Sequence, residues 1–225
     1  MIKAVIFDLD GVIIDSKKHH FAAWKMFWAK RGVKHTKQDF LKHEGLPSSG
    51  VLIAMQGELG KRISRSEAKM LAKEKGGYYR QVAKGRLKPG KGARKLLSAL
   101  RKAGIKTAIA TACSKTNMDF AMRQINLGKY FGALLCSSDV KHGKPSPDVF
   151  LKAAMKLGVK PQSCAAIEDS NHGIAAAKRA GMKCIAVATT HKAENLKGAD
   201  LVMKNLTRIT LPVIERFEVI RRLEK

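Results

Sequence analysis

Asp8 and Asp10 stand one residue apart at the end of the apolar run Ala4-Val5-Ile6-Phe7 and are followed by Gly11. If the run is a β-strand that continues to Leu9, the alternation of its side chains turns both carboxylates to the same side. Two carboxylates that close repel each other unless a cation sits between them or one keeps a proton. An oxygen-ligated Mg²⁺ resolves the conflict and also suits a phosphate substrate. A pair of helix-capping aspartates is the competing reading of the two residues taken alone.

Three other polar features follow apolar runs in the same way. Thr111-Ala112 come after Lys106–Ala110 and offer a hydroxyl and backbone N–H groups for phosphate oxygens. Glu168-Asp169 come after Cys164–Ile167, an adjacent acidic pair directly before a helix start. Lys144, in Gly143-Lys144-Pro145, brings a cation on a constrained loop ahead of another helix; considered singly it reads as a solvated surface lysine.

The elements that must position these groups can be read from periodicity. Strands are expected at Ala4–Leu9, Lys106–Ala110, Ala133–Cys136, Cys164–Ile167, Cys184–Ala188 and Leu201–Met203. Between them lie amphipathic segments near Gly92–Ala103, Asn117–Ile125, Pro147–Leu157, His172–Ala180 and Leu211–Leu223. The last of these carries apolar residues suited to packing on the core. For Pro147–Leu157, Ser146 is the expected N-cap, with Pro147 at the first helical position and Gly158 just past the end. This alternation predicts an α/β fold around a parallel sheet, in which ligands bind beyond the carboxyl ends of the strands. All four polar features fall there.

Between Ser16 and Leu87 only helical patterns occur: Phe21, Trp24 and Trp28 on one face, then Val51–Met55 and Ser66–Val82. This block reads as a smaller helical domain (16–87) inserted into a core made of 1–15 and 88–225. Asp15-Ser16 and Leu87-Lys88-Pro89-Gly90 are the expected hinges.

FDLDGV, the threonine after the second core strand, GKPSPD and IEDSNHGI occur in the order of the four motifs of the haloacid dehalogenase-like superfamily, and the chain resembles it over essentially its whole length. The resemblance implies a Rossmann-like parallel sheet core with an inserted small α-helical cap domain. The helical block is similar to the cap of the branch that includes β-phosphoglucomutases and phosphoglycolate phosphatases. The second aspartate argues against a dehalogenase.

For this sequence, the resemblance implies that Asp8 is the nucleophile that forms an aspartyl-phosphate, and that Asp10 is the general acid and base. Thr111 and the N–H of Ala112 would hold the phosphoryl group, with Lys144 stabilising charge. Mg²⁺ would be held by Asp8, the backbone carbonyl of Asp10 and Asp169, with Glu168 direct or through water. In the cap, His20 matches a histidine that hydrogen-bonds the acid/base, and Lys75 matches a substrate-facing lysine. Ser114 and Lys115 fall in a Ser-Lys-Asn-like run that binds substrate. Two departures weigh against a mutase. The loop Glu44-Gly45-Leu46-Pro47-Ser48-Ser49-Gly50 has serine where that branch grips a second phosphate with arginine. The run after Thr111 is Cys113-Ser114-Lys115-Thr116-Asn117 rather than Ser-Lys-Asn. The expectation is therefore a phosphatase acting on a small phosphorylated metabolite, a sugar phosphate or phosphoglycolate, with the mutase as runner-up.

Composition sets the remaining bounds. The 225 residues carry a net charge of +26, which excludes an acidic surface. Nucleic acid is the obvious partner for such a charge, but aromatics are only 6% and no RGG, zinc-finger or RNP-like pattern occurs. Residues 16–87 hold seventeen Lys and Arg against five Asp and Glu, so the helical block is the more basic part and part of its charge suits steering of anionic metabolites. No apolar run is long enough for a transmembrane helix, and the N-terminal run is too short for a signal segment. Cys113, Cys136, Cys164 and Cys184 form no CxxC pair and read as small buried hydrophobes of a reducing compartment. A cytoplasmic monomer or weak dimer is expected.

Overall fold

Residues 1–43 and 46–215 are described by a computed structural model. Six short strands, β1 (Ala4–Phe7), β2 (Lys106–Ala110), β3 (Ala133–Leu135), β4 (Cys164–Glu168), β5 (Lys183–Val187) and β6 (Leu201–Met203), form one sheet in the order β3-β2-β1-β4-β5-β6. Every pairing is parallel. Strand interiors such as Ala-Val-Ile-Phe are buried on both faces, as a parallel sheet covered by helices requires. Val5 and Phe7 face one half of the core, with helices α5 (Ala93–Lys102) and α6 (Lys115–Ile125). Ala4 and Ile6 face the other half, with α7 (Asp148–Leu157) and α8 (Asn171–Arg179).

The strand order reverses at β1. The chain moves outward through β2 and β3, then resumes beside β1 with β4. Phe7 pairs with Ile109 on one side and Ile167 on the other, so the residues after β1, β2 and β4 emerge side by side. That reversal opens the crevice in which doubly wound sheets hold ligands.

Among the described residues, four helices run between β1 and α5: α1 (Lys17–Ala29), α2 (Lys37–Lys42), α3 (Ser48–Glu58) and α4 (Arg65–Ala83). They bury a cluster of their own, built on Trp24, Phe27, Trp28, Phe40, Val51, Leu52, Met55 and Ala68. Both connections to the sheet lie together, because Gly90 N–H donates to Ile13 O at 2.7 Å and Asp15 N–H to Lys88 O at 3.2 Å. No helix among the described residues is long and apolar enough to cross a membrane.

Several boundaries differ from those expected. β1 ends at Phe7 rather than Leu9, because Gly11 takes a φ of +78° and its N–H donates to Ile14 O, closing a turn. The strand alternation invoked for Asp8 and Asp10 therefore stops short of Asp10. Helix α7 starts at Asp148 with Pro147 as its cap; the Ser146 hydroxyl donates to the Asp148 carboxylate at 2.5 Å instead of capping. Of the expected helix Leu211–Leu223, only α9 (Leu211–Glu215) lies within the described residues, with Ile214 in the core.

Candidate active site

Three buried groups meet where β1, β4 and the loop before α7 converge. Lys144 Nζ donates to Asp8 Oδ1 at 2.7 Å and to Glu168 Oε1 at 2.5 Å. The lysine that composition alone would place in solvent is 4% exposed. Burial would strip its proton, but the two carboxylates overrule that and raise its proton affinity. The second Glu168 oxygen accepts from the Asp169 N–H, the Ser170 N–H and the Ser170 hydroxyl, which fixes the carboxylate at the start of α8. Gly173 makes room for it: a Cβ there would stand 1.9 Å from the Glu168 carboxyl.

Asp8 N–H donates to Ile167 O, extending the ladder by one residue and aiming Asp8 out of the sheet end. Burial pushes the Asp8 carboxyl up to about 7, against the pull of Lys144 and with the help of Glu168 and Asp10. The site is thus short of positive charge. Donor oxygens of Asp8, Glu168 and Asp169 lie within 4.8 Å of one another. Three buried carboxylates with one lysine between them are a hard-oxygen donor set suited to a divalent cation, and such an ion would offset the repulsion among them. Gly11 packs against the same group, since a Cβ on it would stand 1.9 Å from Asp169 Oδ2.

Asp10 is held differently. Its Oδ1 accepts from the Ser16 hydroxyl at 2.6 Å and lies 2.9 Å from His20 Nε2. On the other side of the ring, Lys75 Nζ lies 2.8 Å from His20 Nδ1. An ammonium donates to Nδ1, so the ring proton sits on Nε2 and is given to Asp10. Burial works to raise Asp10, but His20 and Ser16 together hold it below the usual carboxylate range. Burial, then Lys75, keeps His20 neutral. Burial also drops Lys75 to about 7. The Asp10 carboxylate is not in the converging donor set.

Asp8, Asp10, Thr111, Ala112, Lys144, Asp169, His20 and Lys75 all line one cavity between the sheet ends and the helical block. Thr111 Oγ1 accepts from Cys113 N–H at 3.2 Å, which leaves its own proton for a ligand. Ser114 and Lys115 are placed elsewhere. Ser114 caps α6 by accepting from Asn117 N–H, and Lys115 pairs with Asp119 at 2.7 Å on the surface. Neither is among the residues lining the cavity. Sequence reasoning missed Ser16, which is 1% exposed and opens α1, and it missed the cavity wall to which Trp24, His35, Phe40, His43 and Val51 contribute beside the expected loop residue Ser48. Thr36-Lys37-Gln38-Asp39 was the available signal for α2, and a capping box forms there.

The four cysteines are free, three of them buried.

Residues 5–187 match the family of haloacid dehalogenase-like hydrolases. The chain is 33% identical over 222 residues to a β-phosphoglucomutase of Bacillus subtilis, which covers 95% of this chain and 94% of that protein. It is 31% identical over 185 residues to a phosphorylated carbohydrates phosphatase of Thermotoga maritima, covering 82% and 84% respectively. The crystal structure of a β-phosphoglucomutase from Clostridium difficile superposes with a TM-score of 0.87 at 28% identity, covering 99% of this chain and 100% of that one.

Proposed function

The chain belongs to the haloacid dehalogenase-like hydrolases, and from that premise we propose that it is a Mg²⁺-dependent phosphatase for a small phosphorylated metabolite, a sugar phosphate or phosphoglycolate. The observation that carries this reading is the Asp8–Lys144–Glu168 cluster beside Asp169, with the separately held Asp10 facing the same cavity.

Asp8 attacks phosphorus; a bond forms between its oxygen and the phosphoryl group as the bond to the leaving alcohol breaks. Lys144 offsets the repulsion between the carboxylate and the incoming dianion and neutralises charge as it builds. The Thr111 hydroxyl and the Ala112 N–H hold the phosphoryl oxygens. Asp8, Asp169, the Asp10 carbonyl and Glu168, directly or through water, are the groups that would hold Mg²⁺. When bound, the ion screens the dianion from Asp8 and draws electron density from the phosphoryl oxygens.

Asp10 gives a proton to the leaving oxygen, then takes one from the water that hydrolyses the aspartyl-phosphate. A phosphate dianion beside Asp10 raises its proton affinity and so loads it for the first step. Ser16 and His20 hold the carboxylate in place throughout.

A mutase is the second reading, favoured by the likeness to β-phosphoglucomutases. Against it, the described residues lining the cavity include no arginine, and Ser48 stands on the wall where a second phosphate would need a bidentate cation. Phosphate release from sugar phosphates, phosphoglycolate and nucleotides, with Mg²⁺ and with EDTA, tests the phosphatase reading. Metal-dependent release from at least one small ester is expected. Conversion of β-glucose 1-phosphate to glucose 6-phosphate without phosphate release, given a trace of bisphosphate, would make the chain a mutase.

A further inference from the structure

His35 lies on the cavity wall, immediately before the Thr36 cap of α2. It is 5% exposed, and neither ring nitrogen has a hydrogen-bond partner. Its ring sits between Phe21 and Trp24, with centroids 6.1 and 6.2 Å away. The nearby carboxylate, Asp39, is already taken: its Oδ2 accepts from the Thr36 N–H and hydroxyl, both at 2.7 Å. That capping box also fixes the backbone from which His35 projects. His43, on the same wall, has its Nε2 3.2 Å from Glu58 Oε1 without hydrogen-bonding geometry.

A buried polar atom left unsatisfied destabilises the fold. A phenylalanine would line the same wall without that penalty. His35 is among the residues lining the same cavity as Asp8, and the leaving group of an ester attacked at Asp8 extends into that cavity.

We propose that His35 binds a hydroxyl of the leaving group, and that the substrate is therefore the monophosphate of a neutral polyhydroxy compound, a sugar or polyol. This inference rests on the phosphatase reading. A neutral imidazole presents one N–H and one lone pair, and a hydroxyl answers both by accepting and donating. Burial, opposed by Asp39 and aided by His43 and Lys75, keeps the ring neutral. A carboxylate or second phosphate would use only the donor. It would also find no arginine among the described lining residues; of the lining lysines, Lys75 is committed to His20, Lys17 donates to the Thr190 carbonyl and Lys144 is held by Asp8 and Glu168. Trp24, Phe40 and Val51 supply apolar walls for the C–H faces of a sugar ring.

The test compares kcat/KM for hexose monophosphates (fructose 1-phosphate, glucose 1-phosphate and glucose 6-phosphate), for phosphoglycolate and for cyclohexyl phosphate, a ring of similar size without hydroxyls. Wild type should prefer at least one hexose ester to the other two about ten-fold or more. His35→Phe should cut the hexose-to-cyclohexyl ratio about ten- to hundred-fold, mainly through KM. His35→Gln, which restores a neutral donor and acceptor, should recover part of it. A ratio unmoved by His35→Phe, or a wild-type preference for phosphoglycolate, overturns the inference. If His35→Phe does not fold, the wild-type hexose-to-cyclohexyl ratio and the His35→Gln variant decide. Hydrolysis of cyclohexyl phosphate but of no hexose ester leaves the phosphatase reading standing and removes this inference alone. Release from none of the esters removes both.

Discussion

His20 bridges Asp10 and Lys75, with Nε2 2.9 Å from the Asp10 carboxylate and Nδ1 2.8 Å from the Lys75 ammonium. Asp10 belongs to the loop after β1, whereas His20 and Lys75 lie on α1 and α4. The bridge therefore ties the helical block to Asp10. Stacking on Tyr79, with centroids 4.0 Å apart, holds the imidazole ring in register.

Removing the bridge should slow chemistry more than binding. His20→Ala leaves Asp10 with Ser16 alone and should lower kcat about 10²-fold, the scale of a general acid–base contribution, with a smaller change in KM. Steady-state kinetics on the best ester check this; a KM effect that exceeds the kcat effect would assign His20 to substrate binding.

Lys75 is buried at a cost. Its folded-state pKa of about 7 lies below the 10.5 of an exposed lysine, so between those values unfolding takes up a proton. Stability contributed at this site therefore rises with pH across that window, and the full cost is present below pH 7. Lys75→Met removes the cost. Its melting temperature relative to wild type should be most favourable at pH 6 and less so at pH 9, while activity falls. An equal difference at both pH values would contradict the assignment.

Gly11 is required for two reasons, its φ of +78° and the 1.9 Å approach of a Cβ to Asp169 Oδ2. Gly11→Ala should destabilise by about 1–3 kcal/mol and reduce kcat/KM at least ten-fold. Gly32, with a φ of +67° and nothing within 4 Å, separates the two effects. Gly32→Ala should incur backbone strain alone and leave activity intact. Thermal melts and kinetics of the two variants make the comparison.

The order of the strands and the chemistry at their ends were legible because apolar runs and the polar residues after them are local signals. Asp8, Thr111, Glu168 and Asp169 needed only their places after strands. What local signals could not supply is partnership across the chain. Lys144 is one of 44 basic residues until the fold brings it between Asp8 and Glu168. Ser16 reads as a hinge residue until the Gly11 turn carries Asp10 back to it. Leu9 extends the apolar run past the true end of β1, since periodicity does not register a positive φ two residues on. Lys75 was placed by family likeness, yet it also sits with Ala68, Tyr79 and Ala83 on the buried face of α4, where a lysine is out of pattern. Ser114 and Lys115 followed a motif match, but the turn after Thr111 spends the first on capping α6 and the second on Asp119. His35 lies in a loop between helices, where no periodicity operates.

Whether Asp8 is the nucleophile is decided by Mg²⁺-dependent phosphate release from wild type and Asp8→Asn, with melting recorded to verify that both are folded. The amide keeps the shape of Asp8 but lacks the charge and the attacking oxygen, so turnover should fall by more than about 10³-fold. Near-normal Mg²⁺-dependent release by Asp8→Asn would rule out Asp8 as the nucleophile.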